Sequence, residues 1–297
     1  MPSRRIFFLA TLIAVSAWLG AGIYLGEIML RLPRKPLPPQ PRWSLTPPEA
    51  VEIAASDGVT LRGWYFGAPK PNGRAVIVLH GQTDNRMGVA GFAEFLVRHG
   101  YTALTPDIRA HGVSGGELAT YGFLEADDTR RWVDWLLARQ PGAQVFGLGE
   151  SMGAGILLQT LNVESRFCAV VAEGPYANLR DIAYDRLSQR WGSSLSSFAL
   201  RPVLNLALVY QRLRYGVDLG AVSPEQAVTR TRTRVLLIHG ALDNNTPLQH
   251  SRSIYRANPG TVTLWEVPGA GHTGAWGSHP QEFERRMLEW LSPATCR

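Results

Sequence analysis

The sequence predicts an α/β fold with a mostly parallel central sheet, helices on both faces, a helical insertion and an apolar N-terminal helix. Three observations carry this prediction. Short β-branched runs alternate with longer amphipathic segments from about residue 50 onward, residues 178–232 interrupt the alternation, and an uncharged stretch lies near the N-terminus. Alternating strands and helices are typical of parallel sheets, because parallel neighbours need a crossover connection.

The N-terminal stretch is long enough to cross a bilayer. Ile6 to Gly26 contains 21 residues without a charge, and a helix of that length spans roughly the 30 Å hydrocarbon core. Three interpretations stay open for residues 1–30: a single-pass membrane anchor, a signal segment whose cleavage releases a secreted or periplasmic protein, and a buried helix. Basic residues both precede and follow the stretch, so its orientation stays open as well.

A proline-rich segment, residues 31–48, follows the apolar stretch. Seven of the sixteen residues from Pro33 to Pro48 are proline, a composition that excludes a helix and favours extended polyproline II. We therefore expect a semi-rigid spacer that holds the following domain, residues 49–297, off a membrane surface.

The strands of this domain are predicted from apolar runs. A first pair, joined across Asp57 and Gly58, is predicted as a hairpin. The later runs are almost continuously apolar, as expected when helices cover both faces of a parallel sheet. These runs are RAVIVLHG, YTALTPD, AQVFGLGE, CAVVAEG, RVLLIHG and TVTLWEVPG. The predicted helices are the amphipathic segments at about residues 85–98, 123–139, 152–162, 247–257 and 280–291.

Residues 178–232 do not follow the alternation. This stretch is helical in pattern, rich in arginine and too long for a connecting loop in a compact domain. We expect it to form a cap at about 178–232 over the strand ends. The net charge of +6 is concentrated near this insertion and in residues 1–42, so both segments are suited to face anionic lipid. Basic residues interleaved with stacking aromatics are missing, so no nucleic-acid partner is expected.

Composition excludes several other classes of protein. With 45% hydrophobic and 18% charged residues, the chain is not wholly disordered. The two cysteines, Cys168 and Cys296, belong to no Cys-x-x-Cys or Cys/His motif. A disulfide scaffold and a cysteine-rich zinc site are therefore not expected, and Cys296 is interpreted as a free or modified thiol.

The segment Gly149-Glu150-Ser151-Met152-Gly153 matches the Gly-x-Ser-x-Gly pattern of nucleophilic serines. The predicted strand AQVFGLG runs directly into it, and the small-residue helix MGAGILLQTL leaves it. A nucleophile elbow needs this sequence of strand, sharp turn and helix, with neighbours that lack bulk. Ser151 is therefore the candidate nucleophile.

A serine hydroxyl needs a base near neutral pH, and the base needs an orienting carboxylate. Asp243 follows the strand RVLLIHG and His272 follows the strand TVTLWEV. The order Ser151, Asp243, His272 is the one expected for a nucleophile elbow on a parallel sheet. The backbone N–H groups of Gln82 and Met152 are the candidate donors of an oxyanion hole, since each lies beside a strand end.

Several candidates also have a structural interpretation. Asp243 is suited to cap a helix near Thr246. His279 competes with His272, but the glycine-rich turn around His272 leaves room for a reaching imidazole, whereas His279 resembles the start of the last helix. Glu150, beside the candidate nucleophile, is interpreted as a solvated or salt-bridged carboxylate.

Five segments together resemble the α/β-hydrolase superfamily, in particular the branch that groups serine aminopeptidase-like hydrolases with membrane-associated α/β-hydrolase-domain proteins. They are LHGQTDNR, PDIRAHGVSGG, GLGESMGAG, LLIHGALDNNTP and PGAGHTGAW, and the similarity runs from about residue 50 to 292. The resemblance implies the α/β-hydrolase fold and a triad of Ser151, Asp243 and His272.

The same resemblance implies that the loop from Asp107 to Ser114 braces the site. Ala110 stands in this loop where many relatives have glycine. Four polar residues at this edge of the sheet are interpreted as structural hydrogen-bonding groups and not as reactants: His80, Asp107, Arg109 and His111.

The chemistry expected from these residues is acyl transfer by a serine hydrolase. Esters and thioesters of small or acylated molecules near a bilayer are the preferred substrates, and membrane lipid is the partner expected for the N-terminal segment. The alternatives are amide hydrolysis and a catalytically silent binding scaffold. No metal or organic cofactor is expected. A nicotinamide or flavin enzyme is disfavoured, because Met152 occupies the third glycine position of the phosphate-binding pattern.

Overall fold

A single eight-stranded sheet organises the computed structural model, which describes residues 2–39, 43–192, 194, 200–292 and 296. The strands are β1 (Glu49–Ala54), β2 (Thr60–Phe66), β3 (Arg74–Leu79), β4 (Thr102–Pro106), β5 (Gln144–Glu150), β6 (Phe167–Glu173), β7 (Arg234–Gly240) and β8 (Val262–Val267). Their order across the sheet is β1-β2-β4-β3-β5-β6-β7-β8. β1 and β2 form an antiparallel hairpin and β2 runs antiparallel to β4, whereas β3 to β8 pair in parallel. This arrangement confirms the mostly parallel sheet.

Helices cover both faces of the sheet. Alternate residues of β3 belong to different apolar clusters: Ile77 and Leu79 lie in one, Val76 in the other. Both faces are therefore buried, which explains the continuous apolar runs of the sequence. The helices are α1 (Pro2–Leu30), α2 (Ala90–Arg98), α3 (Glu125–Arg139), α4 (Met152–Thr160), α5 (Leu179–Trp191), α6 (Arg201–Tyr215), α7 (Pro224–Val228), α8 (Gln249–Ala257), α9 (Ala275–Ser278) and α10 (Pro280–Trp290).

The insertion between β6 and β7 is helical. It contains α5, α6, a short 3₁₀ helix (Leu219–Ala221) and α7. Asn178 begins α5, because its side-chain oxygen accepts a hydrogen bond from the Asp181 N–H at 2.8 Å. Positions 193 and 195–199 of the predicted cap lie outside the described residues.

The N-terminal helix is long and apolar enough to cross a membrane, with a mean hydropathy of 2.2 in its most apolar window. Its residues are exposed as far as position 21, and burial begins at Gly22. From there α1 packs against α6 of the insertion. A Cβ at Gly26 would lie 2.8 Å from the Tyr210 ring, so glycine at this position allows the two helices to approach.

The proline-rich segment lies along the domain over residues 31–39. Arg34 donates hydrogen bonds to several main-chain carbonyls, including that of Ser114, and Lys35 pairs with Asp84 at 2.7 Å. This differs from the projecting spacer that the proline content predicts, because the basic side chains between the prolines find partners on the domain. Positions 40–42 of the predicted spacer lie outside the described residues.

The two cysteines form a disulfide. Cys168 is the second residue of β6 and Cys296 lies near the C-terminus. Their Cα atoms are 4.4 Å apart. The interpretation of Cys296 as a free or modified thiol is therefore wrong. Since 128 residues separate the two cysteines, only the fold brings them together.

Candidate active site

Ser151 lies in a strained turn between β5 and α4. Its φ of 51° and ψ of −113° lie in a region that residues with a side chain rarely adopt. The flanking glycines explain how the turn closes, because a Cβ at Gly149 would lie 2.6 Å from the Gly153 carbonyl oxygen. The Ser151 N–H donates to the Glu173 carbonyl of β6 at 2.8 Å, which fixes the turn to the neighbouring strand.

Three of the residues singled out in the sequence meet at the carboxyl edge of the sheet. His272 Nε2 lies 2.8 Å from Ser151 Oγ, and His272 Nδ1 lies 2.7 Å from Asp243 Oδ2. Asp243 follows β7 and His272 follows β8, as the sequence predicts. The Asp243 side chain is 0% exposed and that of His272 is 19% exposed, while Ser151 is partly exposed. The carboxylate end of this hydrogen-bonded line is therefore sealed from water and the hydroxyl end is accessible.

The surroundings of Asp243 favour its ionised form. Its Oδ1 accepts backbone N–H groups from Asn245 and Thr246, each at 2.8 Å. Burial acts to raise the pKa of Asp243, but hydrogen bonds from His239 and His272 outweigh burial and lower this pKa well below its ordinary range. A permanently ionised carboxylate at Nδ1 holds His272 with Nε2 free to accept a proton from Ser151.

The two predicted oxyanion-hole residues also lie at the site. Gln82 and Met152 line the same cavity as Ser151. Within the described residues neither backbone N–H has a hydrogen-bond acceptor. The Gln82 side-chain N–H₂ donates a hydrogen bond to the Tyr121 hydroxyl at 3.3 Å. These two amides are therefore available to a ligand.

Two cavities of about 300 Å³ each meet at Ser151. The first is mainly apolar and lies between α1 and the inserted helices. Its lining includes Leu25, Met29, Ile182, Leu187 and Leu204. The second is polar, and its lining includes Asp84, Glu150, Asn245 and His272. The exposed Arg186 borders both cavities.

Two glutamates beside the site have raised pKa values. Glu150 and Glu173 are aligned at the ends of neighbouring parallel strands. Burial, followed by the charges of Glu173 and Asp84, raises the pKa of Glu150 to about 8. Burial raises the pKa of Glu173 to about 7, although its Oε1 accepts the Ala275 N–H at 2.9 Å. The raised pKa favours the neutral form of Glu150 near pH 7, and the side chain is partly buried, which differs from the expected solvated or salt-bridged carboxylate.

The loop after β4 is braced by a buried carboxylate. Asp107 accepts the backbone N–H groups of Arg86 and Val113, each at 2.8 Å. The Ser114 hydroxyl donates to the Asp107 carbonyl at 2.7 Å and closes the loop onto the strand end. Ala110 has a φ of 60°, the left-handed conformation that favours glycine.

The remaining polar residues of this edge make structural hydrogen bonds. His80 Nε2 accepts the Ile108 N–H at 3.1 Å, and burial lowers the pKa of His80 to about 3. Arg109 binds Asp128 through two hydrogen bonds of 2.6 and 2.7 Å. His279 begins α10 and approaches the Pro268 carbonyl at 2.8 Å. Among the described residues, no group of three or more histidine, cysteine or acidic side chains is placed to hold a metal.

Comparison with known proteins identifies the family. The model of the alpha/beta hydrolase family matches residues 76–286. The chain belongs to the alpha/beta hydrolase family.

Relatives and solved structures agree with this membership. The uncharacterized protein YqkD of Bacillus subtilis is 26% identical over 245 residues, which cover 82% of this chain and 78% of YqkD. A structure of the Pyrococcus furiosus esterase Pf2001 superimposes with a TM-score of 0.72 at 27% identity, covering 89% of this chain and 97% of the esterase. The uncharacterized peptidase YuxL of B. subtilis is 24% identical over 81% of this chain but only 37% of its own length. The α/β-hydrolase fold is thus confirmed, and the neighbours support a hydrolase.

One residue beside the candidate site was missed by the sequence analysis. His239, the penultimate residue of β7, lies 3.3 Å from Asp243 Oδ2. Its ring also contacts the Ser251 hydroxyl and the Thr246 carbonyl, each at 2.7 Å. A histidine at a strand end four residues before the candidate acid was the available signal, but a strand-end histidine is more often only a core hydrogen-bonding group.

Proposed function

We propose that this alpha/beta hydrolase is a serine hydrolase that cleaves a carboxylic ester or thioester through an acyl-enzyme. The observation that carries the proposal is the hydrogen-bonded line from Asp243 through His272 to Ser151, which ends where the apolar and polar cavities meet. A serine alone is a poor nucleophile, and this line supplies the base and its orienting carboxylate.

In the proposed mechanism, Ser151 Oγ attacks the substrate carbonyl carbon while its proton passes to His272 Nε2. The Gln82 and Met152 N–H groups stabilise the negative charge that develops on the carbonyl oxygen. His272 then protonates the departing alcohol or thiol. Water, deprotonated by His272, attacks the acyl carbon, and the bond from this carbon to Ser151 Oγ breaks as His272 returns the proton to Oγ, which releases the acid. Asp243 keeps the imidazole oriented throughout.

The cavities support an ester or thioester as the substrate. The apolar cavity suits the acyl part and the polar cavity suits the leaving group, since most of a ligand pocket is apolar with a few polar anchoring groups. The structural similarity to the esterase Pf2001 supports the same choice. Amide hydrolysis is the second candidate, and the peptidase relative YuxL favours it.

We also propose that α1 is a single-pass membrane anchor. The length and hydropathy of the helix support a membrane span. The disulfide between Cys168 and Cys296 supports a hydrolase domain outside the reducing cytosol, because such bonds persist in oxidising compartments.

A charged fluorophosphonate probe that does not cross membranes tests both proposals in spheroplasts that express the full chain. We expect the probe to label Ser151 in intact spheroplasts, because the hydroxyl is activated by His272 and faces outward. The Ser151→Ala variant should lose labelling and lose about 10⁴-fold or more of its kcat on p-nitrophenyl acetate. Ser56→Ala, in the exposed turn of the β1–β2 hairpin, is the matched control and should keep both.

The outcomes separate the alternatives. Failure to label Ser151 even after lysis would contradict the proposed chemistry and favour a silent scaffold. Labelling only after lysis would leave the chemistry intact and place the domain in the cytoplasm. A faster reaction with aminoacyl nitroanilides than with nitrophenyl esters would favour the amide alternative.

A further inference from the structure

The N-terminal helix forms part of the cavity that leads to Ser151. Leu25, Ile28 and Met29 of α1, and Leu32 just beyond its end, line the apolar cavity together with side chains of α5 and α6. The spacing of three and four residues places Leu25, Ile28 and Met29 on one side of α1. A helix that the sequence marks as an anchor therefore also provides a wall of the candidate substrate site.

Other contacts of α1 with the insertion hold the helix in place. Gly22 and Gly26 lie directly against α6. The Gln211 side-chain N–H₂ donates to the Gly26 carbonyl at 2.9 Å. Glu27 accepts hydrogen bonds from the hydroxyls of Tyr210 at 2.6 Å and Tyr215 at 2.5 Å. These contacts fix the position of the cavity-lining face relative to Ser151.

The catalytic domain also binds the last turn of the helix directly. The Tyr121 hydroxyl donates to the Met29 carbonyl at 2.8 Å, and the Ala119 N–H donates to the Leu30 carbonyl at 2.8 Å. Tyr121 contacts the Gln82 side chain as well. A continuous set of hydrogen bonds thus joins the end of α1 to the candidate oxyanion-hole residue.

The exposed apolar part of α1 approaches the thickness of a bilayer. Residues 6–21 are exposed and uncharged and rise about 24 Å, against the ~30 Å of a hydrocarbon core, and Arg4 and Arg5 precede them. The membrane surface then falls near Gly22, one turn from the first cavity-lining residue. Ile28, which borders the cavity, is 46% exposed, so the cavity reaches the surface beside the helix.

We propose that the last two turns of α1 form the acyl-chain wall of the site, and that the substrate is a bilayer amphiphile whose chain moves along this helix face to Ser151. The proposal rests on the proposed serine hydrolase function and names its substrate class. The apolar cavity is the site for the chain, and the polar cavity is the site for the headgroup or leaving group.

The size of the cavity suits a medium-length acyl chain. Its volume of about 300 Å³ lies at the lower end of the ~300–1,000 Å³ of small-molecule pockets. Medium-chain esters are therefore expected to fit fully.

The test uses the full chain reconstituted in phosphatidylcholine vesicles, with p-nitrophenyl esters from acetate to decanoate. Leu25→Trp places a large side chain in the cavity. We expect it to lower kcat/KM for decanoate at least tenfold relative to acetate. Tyr24→Trp is the matched control. Tyr24 directly precedes Leu25 on the same helix, is 68% exposed and does not line the cavity. The control should leave the decanoate-to-acetate ratio unchanged.

A second variant guards against a folding defect in the first. Leu25→Ala enlarges the cavity and should shift the preferred ester toward longer chains. Equal ratios in Leu25→Trp, Leu25→Ala and Tyr24→Trp would overturn the proposed wall. Adding ester-free vesicles lowers the mole fraction of ester in the bilayer, and the rate of decanoate hydrolysis should fall with it. A rate that follows only the aqueous concentration of the ester would overturn entry from the membrane.

The two proposals fail in different ways. Loss of acetate hydrolysis and of fluorophosphonate labelling in the unmodified chain would contradict the serine hydrolase itself. Normal labelling and normal acetate hydrolysis, combined with an unchanged chain-length ratio in both Leu25 variants, would contradict only the role of α1.

Discussion

Two regions of the molecule enclose Ser151, and they are held in different ways. The strand-end rim, formed by Ser151, Asp243, His272 and His239, consists of polar groups whose hydrogen bonds are 2.7 to 3.3 Å long. The helical wall, formed by α1 from Gly22 onward together with α5 and α6, consists mainly of apolar side chains that contact one another at an exposed surface.

The difference fits the roles proposed for the two regions. Proton transfer depends on hydrogen-bond geometry, so a misplaced group in the rim costs orders of magnitude in rate. A wall only has to exclude water and match the shape of a chain, which apolar contacts achieve with looser geometry. Changes in the rim are therefore expected to alter rate, and changes in the wall to alter chain-length preference.

The largest expected effect is in the rim. Asp243→Asn should lower kcat on p-nitrophenyl acetate by about 10⁴-fold, because an amide stabilises the wrong tautomer of His272 and cannot stabilise its imidazolium form. The measurement is steady-state kinetics at pH 8 with the amount of folded protein checked by circular dichroism.

A matched aspartate in the insertion serves as the control. Asp218 lies 3.6 Å from Arg212, is partly exposed and has no role in the proposed chemistry. Asp218→Asn should keep kcat within about twofold, as expected for a surface ion pair. Equal losses of kcat in both variants would mean that the rate depends on the insertion as strongly as on the rim.

An intermediate effect is expected from Glu150. This residue directly precedes Ser151 of the rim but takes no part in the hydrogen-bonded line. The pKa of Glu150 is raised from its ordinary value of 4.5 to about 8. Between these two pH values the unfolded chain releases this proton and the folded chain retains it. The free energy of unfolding should therefore fall as pH rises, by up to about 1.4 kcal/mol per pH unit for one retained proton.

Glu150→Gln removes this titration. The variant should lose less stability than the unmodified chain between pH 5 and pH 8 in urea unfolding, while hydrolysis at pH 7 stays nearly unchanged because glutamine resembles the neutral acid. Glu282→Gln is the control, since nearby arginines lower the pKa of Glu282 and its replacement should leave the loss of stability in this pH window as it is. The same decline in all three proteins would show that Glu150 ionises normally.

The rim could be predicted from the sequence because its chemistry uses few residue types at fixed places. Ser151 lies between a strand and a helix with glycines on both sides, and Asp243 and His272 each follow an apolar run. Parallel strands bring their carboxyl ends to one edge, so the placement of these residues in the chain already implies their proximity. Six of the eight strands follow from apolar runs of this kind, and the hairpin of β1 and β2 follows from the turn at Asp57 and Gly58.

The wall could not be predicted in the same way. Nothing in the spacing of Leu25 and Met29 distinguishes a cavity-lining face from a lipid-facing one, because both are apolar. The contact of Gly26 with α6 and the pairing of Cys168 with Cys296 join positions far apart in the chain. Such contacts depend on the packing of whole elements and leave no local pattern.

The smallest expected effect is in the helical wall and tests whether the two regions are independent. Replacing both Tyr210 and Tyr215 by phenylalanine removes two hydrogen bonds to Glu27, which keeps its contact with Arg31 at 2.9 Å. We expect a loss of about 1–3 kcal/mol in the free energy of unfolding, a change of less than about threefold in the decanoate-to-acetate ratio, and no change in acetate hydrolysis. Urea unfolding and the ester series measure these quantities. A tenfold fall in acetate hydrolysis would mean that the hydrogen bonds from α1 through Tyr121 to Gln82 position the oxyanion hole, and the helical wall would then belong to the chemistry as much as to the shape of the site.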